Sequence, residues 1–223
     1  MPKGVQMMDT GGIAVERTDK KTKRVKQEEV KLTWQQRIMI DLHDLVYVLA
    51  GFMLIYMLLF RMVVVVGPSM KDTLLDGDRL VLLSNTVYHN PKQGDVIVAS
   101  KDSFKDGECI IKRVIATEGQ TVDIDFYRGV VLVDGVELKE DYTRTLTTRS
   151  EGMIFPTVVP EGCVFVLGDN RDSSMDSRDP KIGFVDKREI LGKAIFLMMP
   201  GTDGGLVEAD YDRIGFEVLD DGQ

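Results

Sequence analysis

A serine and a lysine are the residues whose types and settings could together carry out nucleophilic hydrolysis. Ser69 stands in Gly67-Pro68-Ser69-Met70, and Lys112 in Ile110-Ile111-Lys112-Arg113-Val114-Ile115. The chain has only two histidines, His43 and His89. The first lies at the edge of a membrane-length apolar stretch, the second in the loop-like run Tyr88-His89-Asn90-Pro91. A serine nucleophile here needs a different base, and a lysine amine is the known substitute. The amine can take the proton only when neutral, a state that burial favours by penalising the ammonium. Cys109, Ile110, Ile111, Val114 and Ile115 give Lys112 apolar neighbours of the right kind.

The elements that must position this pair read as mainly β, behind one N-terminal helix. Residues 1–37 are a polar cytosolic tail, rich in Lys, Glu and Thr over its first 30 residues, with an amphipathic stretch starting at Trp34. From Leu45 to Phe60 every residue is apolar, Gly or Tyr, sixteen residues in all. That is about 24 Å of helix at ~1.5 Å per residue. With its flanks, 38–61, it reaches spanning length, about 20 residues. Arg61, Trp34, Tyr47 and Tyr56 are suited to the interfaces. A buried soluble helix and a removable secretory signal are the competing readings. The run is apolar all round, unlike a one-sided core helix, and no small-residue cleavage site precedes Ser69. Beyond it, 62–200 reads as an antiparallel β-rich domain. Strand-like runs occur at Met62–Val66, Arg79–Leu83, Asp95–Ser100, Ile110–Ile115, Cys163–Leu167 and Ala194–Met198, with turn signals at Asp76-Gly77, Gly94 and Asp106-Gly107. Val130–Val133, Asp134-Gly135 and Val136–Leu138 predict a hairpin with a type I′ turn, inside a small inserted region, 123–162. The acidic, Gly-rich end, 201–223, reads as a loosely held tail.

Charge divides along the same boundary. The 223 residues carry a net charge of −8. Up to Arg61, ten lysines and arginines face seven acids, +3, leaving −11 for the remainder. An acidic domain excludes nucleic acid as a partner, since that binding relies on a basic surface. Nine of the ten basic residues precede the apolar run, so the positive-inside rule puts the N-terminus in the cytosol and the β domain outside. Cys109 and Cys163, the only cysteines, fit no metal-site spacing; they read as separate thiols, with a single bridge left open.

Four motifs in order give the chain a family resemblance from about Leu45 to Pro200. They are Gly67-Pro68-Ser69-Met70-Lys71-Asp72-Thr73-Leu74, Gly94-Asp95-Val96-Ile97-Val98, Lys112-Arg113-Val114-Ile115, and Gly168-Asp169-Asn170-Arg171-Asp172-Ser173-Ser174-Met175-Asp176-Ser177-Arg178. The last continues with Gly183-Phe184-Val185 and Gly192-Lys193-Ala194. In these motifs the chain resembles the bacterial type I signal peptidases, membrane-anchored Ser/Lys proteases that remove signal peptides from exported proteins. The fourth motif, long and dense in charge, is the most specific; Gly-Asp-Val alone is nearly worthless. The sequence departs from the family at Asp72, where proline is usual, and at Ala116, Glu118 and Gln120, where Gly, Pro and Asp are usual. These positions shape turns rather than supply reacting atoms.

The resemblance implies a fold, a chemistry and a set of roles. The expected fold is a single transmembrane helix followed by a signal-peptidase-like β domain on the outer side of a bacterial plasma membrane. Ser69 would be the nucleophile and Lys112 the general base. Ser174 would hydrogen-bond the base, with Asp176 and Arg178 as a supporting ion pair. The Ser69 backbone N–H would serve the oxyanion; Gly67 stands where some members carry a hydroxyl donor, so that help would be missing. The partners would be signal peptides of exported preproteins, with small residues before the scissile bond, and membrane lipid. A peptide bound as an added strand would touch Val65, Val66, Pro68 and Ile111. No metal or other cofactor is required. Two other readings stay open: a non-catalytic membrane-anchored adaptor in export, and a specialised peptidase for pilus or surface-protein precursors.

Overall fold

Thr33 opens the first element. Its hydroxyl accepts from the Gln36 amide at 3.4 Å while the Gln36 side chain accepts from the Thr33 amide at 2.9 Å, a reciprocal cap that satisfies two orphan donors. The computed structural model describes residues 33–101, 108–143, 145–216 and 219. In it α1 (Trp34–Leu59) is one continuous 26-residue helix. Its charged residues Arg37, Asp41 and Asp44 cluster near the N-terminal end, and the next, Arg61, lies beyond the helix. The helix is long and apolar enough to cross a membrane, with none of its apolar stretch buried against protein. Two compact units make up the chain, residues 1–45 and 46–223, the boundary falling inside α1. The polar tail before Thr33 and the Asp106-Gly107 turn signal lie outside the described residues.

The helix ends earlier than expected because a strand takes over. β1 (Phe60–Val64) follows Leu59 directly and pairs with β2 (Arg79–Ser84), Phe60 opposite Leu83 and Val64 opposite Arg79. The β-branched run from Val63 favours extended backbone, so Arg61 sits in β1 instead of closing the helix. The remaining strands are β3 (Val96–Ser100), β4 (Cys109–Thr117), β5 (Thr121–Asp125), β6 (Val130–Val133), β7 (Val136–Glu137), β8 (Thr157–Val158), β9 (Cys163–Leu167), β10 (Val185–Asp186) and β11 (Ile190–Met199). They form a seven-stranded sheet, β1-β2-β11-β3-β4-β9-β10, and a four-stranded one, β7-β6-β5-β8, antiparallel throughout.

The large sheet is buried on both faces along β3, while its edge strand β1 is partly exposed. Val96 and Val98 of β3 join a cluster with Leu74, Leu80 and Leu197, while Ile97 and Ala99 join another with Ile110, Val114 and Ile190. Alternate residues of a strand point to opposite faces, so an unbroken apolar run is what such a strand requires. A third cluster, with Ile115, Val122, Val131 and Phe165, ties the small sheet to the far end of β4. The predicted hairpin is β6–β7, with Asp134 at φ 52° and Gly135 at φ 79°, the positive angles of its turn.

Other expectations need correction. β5 begins the inserted region at Thr121, before residue 123; its Val122/Ile124 alternation is short and diluted by two aspartates, poor strand formers. β8 and β10 have two residues each, too few to leave a periodic signal. The described part of the C-terminal segment, 201–216 and 219, is held against the domain. Leu219 is buried in the cluster that holds Met70 and Leu74, and the Phe216 ring packs edge-on against Phe196 at 4.9 Å. These apolar anchors are masked in the sequence by acidic, Gly-rich surroundings. Cys109 and Cys163 are free thiols. The register sets Thr117 opposite Val164, so Cys163 lies at the opposite end of β4 from Cys109, far beyond the ~7 Å a disulfide can bridge.

Candidate active site

Strand register brings the serine and lysine together. β9 pairs with β4 only from Leu167 opposite Arg113 onward. Lys112 is therefore the first residue of β4, counting back, whose β9-side edge is open; β3 covers its other side, with Ile97 opposite. The chain leaving β9 turns at Gly168 and meets the segment after β1. There the Asn170 amide donates to the Ser69 carbonyl at 3.1 Å, and its side-chain amide donates to the Pro68 carbonyl at 3.0 Å. This places Ser69 Oγ 2.8 Å from Lys112 Nζ, which also donates to the Ile111 carbonyl at 2.8 Å.

Lys112 is only 4% exposed. Burial pushes its pKa down to about 8, against a weaker upward pull from the Asp176 and Asp169 carboxylates. The ammonium is penalised because it loses hydration in the interior. A large fraction of such amines is neutral at mildly alkaline pH. Among the described residues the Ser69 amide N–H meets no acceptor and is free to serve an incoming oxyanion.

The supporting residues are placed unevenly. Arg178 grips Asp176 through Nε and Nη2, both at 2.9 Å, and neither residue is exposed. Asp176 also accepts from the Gly168 amide at 3.1 Å, which fixes the turn leaving β9. Ser174 is different. Its hydroxyl is buried without a hydrogen-bond partner, so the expected bond to Lys112 is not formed; Nζ is engaged by Ser69 and Ile111. Gly168 explains how closely Ser174 sits: a Cβ there would lie 2.2 Å from Ser174 Oγ and 2.5 Å from the Ser69 carbonyl oxygen.

Of the residues expected to meet a peptide, Val66 is 85% exposed, Pro68 is exposed and Ile111 half-buried. Val65 is not available: its side chain belongs to the core with Met70 and Leu74, and its amide donates to the Asp78 carbonyl. The run expected as strand to Val66 ends at Val64, where pairing with β2 stops.

Several site residues had no role assigned from sequence. Arg113 binds Asp169 through two nitrogens at 3.0 and 2.8 Å, and Thr73 donates to the same carboxylate at 2.5 Å. The base strand is thereby linked to the nucleophile segment. From the inserted region, Glu140 clamps Arg171 and the Tyr142 ring lies 4.1 Å beneath the Arg113 guanidinium. An Arg directly after the lysine and an Asp opening the fourth motif were the available signals; Glu140 and Tyr142 offered none. Asp72 adopts φ 93°, an angle a proline ring forbids, so the departure from the family goes with a different turn. Among the described residues no group of three or more His, Cys, Asp or Glu is arranged to hold a metal ion.

The signal peptidase family, peptidase S26, matches residues 39–199. A probable signal peptidase I-1 from a Synechocystis strain is 38% identical over 147 residues, 62% of this chain and 71% of the relative. Signal peptidase I P of Bacillus subtilis subsp. natto is 32% identical over 188 residues, 81% of this chain and 95% of the relative. A signal peptidase I crystal structure from Enterococcus faecalis V583 is 31% identical, covering 47% of this chain and 96% of that one, with a TM-score of 0.39.

Proposed function

The chain belongs to the signal peptidase family, peptidase S26, and from that premise we propose how its residues carry out the reaction. The protein is a serine-type endopeptidase that removes signal peptides from preproteins, anchored to a membrane through its apolar helix. Ser69 is the nucleophile and Lys112 the general base. The observation that carries this reading is a buried amine 2.8 Å from the Ser69 hydroxyl, with a pKa pushed down to about 8.

In the neutral amine the Nζ lone pair accepts the Ser69 proton as Oγ attacks the scissile carbonyl. The oxyanion forms where the Ser69 amide can donate to it, a fixed dipole that costs no reorganisation. The new Lys112 ammonium protonates the leaving amine, and the neutral Lys112 amine so regenerated then activates water to hydrolyse the acyl-enzyme. Ser174, a buried hydroxyl without a partner, is assigned to accept from the ammonium during the reaction. Asp176 and Arg178 hold the turn that carries it. The substrate lies extended along the open edge of Cys109–Ile111, near Val66 and Pro68, where main-chain bonds give affinity and shallow pockets read small side chains. The basic N-terminal segment faces the cytosol by the positive-inside rule, which puts the β domain on the outer side of a bacterial plasma membrane.

The test uses detergent-solubilised full-length protein and a preprotein followed on a gel. Cleavage is expected from the wild type and lost in both Ser69→Ala and Lys112→Met. Undiminished cleavage by either variant rejects the dyad.

A further inference from the structure

Ser69 sits on a segment with little structure of its own. Residues 65–78 are neither helix nor strand, yet the nucleophile must be held to within a fraction of an ångström of its working position. Such a segment depends on side chains and neighbouring backbone. It has some internal ties: the Gly67 amide donates to Asp76 at 2.7 Å and the Leu75 amide to Asp78 at 2.8 Å. Asn170 adds the two bonds described above. Thr73 adds its bond to Asp169, and a further set of ties comes from beyond residue 199, where the family match ends.

Gly201, Asp203 and Arg213 reach the nucleophile segment from there. Gly201 lies so close that a Cβ would stand 2.3 Å from the Asp76 carbonyl oxygen, and its amide donates to Asp78 at 2.6 Å. The Asp203 amide donates to the Asp76 carbonyl at 3.1 Å. The Asp203 carboxylate pairs with Lys71 at 2.6 Å, two residues after the nucleophile. Arg213 donates to the Thr73 carbonyl at 3.0 Å. It also forks onto the fully buried Asp78 carboxylate at 3.1 and 2.8 Å. The segment then returns to the sheet, where Gly215 and Leu197 exchange both backbone hydrogen bonds at 2.9 and 3.2 Å.

We propose that residues 201–216 brace the nucleophile segment, with Asp203 and Arg213 as positioning residues for Ser69. The inference rests on the reading of Ser69 as nucleophile. The geometry supports a role in the reaction as well as in stability, because the contacts converge on residues 71–78 directly behind Ser69. A misplacement of about 1 Å at a reacting atom can cost on the order of 100-fold in rate.

The experiment measures steady-state cleavage by full-length Lys71→Met, Asp203→Asn, their double variant, Arg213→Gln and Arg213→Lys, with thermal midpoints and hydrogen exchange. Asp203→Asn and Lys71→Met are expected to lower kcat about tenfold with KM within about twofold, and the double variant to be no worse than either, because both act through one pair. Arg213→Gln is expected to lose more, and Arg213→Lys to recover part of it. Exchange should quicken across 67–78 in Arg213→Gln while 110–115 stays as in the wild type. Unchanged kcat in all five variants overturns the brace, as does exchange that quickens equally in both segments with a falling thermal midpoint. If instead Ser69→Ala cleaves as well as the wild type, the nucleophile assignment fails, and the exchange measurement still decides whether the segment is braced.

Discussion

The base and the nucleophile are held by opposite means. Lys112 is part of a strand, with Ile97 across from it in β3 and regular backbone before and after. Ser69 lies in irregular backbone with positive φ at Gly67, Asp72 and Gly77, in a segment pinned by its own turn and by bonds from two other parts of the chain, at Asn170 and Arg213. The difference follows from what each must do. A lowered lysine pKa needs sustained burial, which a central strand supplies. A nucleophile must present its hydroxyl and its own amide toward an open edge, which a strand inside the sheet cannot do. The two sides are joined through Asp169, which takes Arg113 from the base strand and Thr73 from the nucleophile segment.

Five measurements bear on that contrast. The largest effect is expected for Lys112→Arg, which keeps a cation in place but cannot become neutral; cleavage should fall by at least about 1,000-fold, as in loss of a catalytic residue. Cleavage near wild-type rates would mean that neutrality is not what the strand provides. Gly168→Ala should cost on the order of 100-fold, because its Cβ pushes on both the Ser69 carbonyl and Ser174; a rate within threefold of wild type would show that the nucleophile side tolerates displacement.

Third, Lys112→Met is expected to be more stable than wild type at pH 7 by up to about 3 kcal/mol, the equivalent of lowering the amine from its ordinary value of 10.5 to about 8. The sign follows from proton binding: the unfolded chain holds this proton more tightly, so the cost is full below about pH 8 and disappears as pH rises toward 10.5. Denaturant melts at pH 7 and pH 10.5 check it; an equal gain at both would remove the amine as its source. The same titration should make wild-type kcat/KM rise about tenfold per pH unit below 8 and level off above it. The smallest effect is reserved for Ser174→Ala. Removing a buried hydroxyl with no partner should leave stability unchanged or raise it by about 1 kcal/mol, while kcat falls about tenfold. Unchanged kcat would strip Ser174 of its role.

Much of the site was legible in the sequence alone. Asp134-Gly135 announced its turn because only a few residue types tolerate those angles. The apolar run after Leu45 announced α1 because no charged residue interrupts it until Arg61. Val65 misled because a run of four valines looks alike from end to end; burial of Val65 and exposure of Val66 depend on where pairing with β2 stops. The brace from 201–216 was hidden because Asp203 and Arg213 resemble any charged residues of a polar tail, and their partners lie more than a hundred positions away.

By itself the sequence determined the reacting types: a hydroxyl, an amine with apolar neighbours, few histidines to compete, and an apolar helix ahead of them. Only the tertiary structure decided that the amine is buried, that β9 stops one residue short of it, and that a distant segment fixes the turn opposite. Side-chain chemistry is a local property carried by each residue. Burial, register and distance are set by parts of the chain that meet only on folding, and the pKa of Lys112 is set by them.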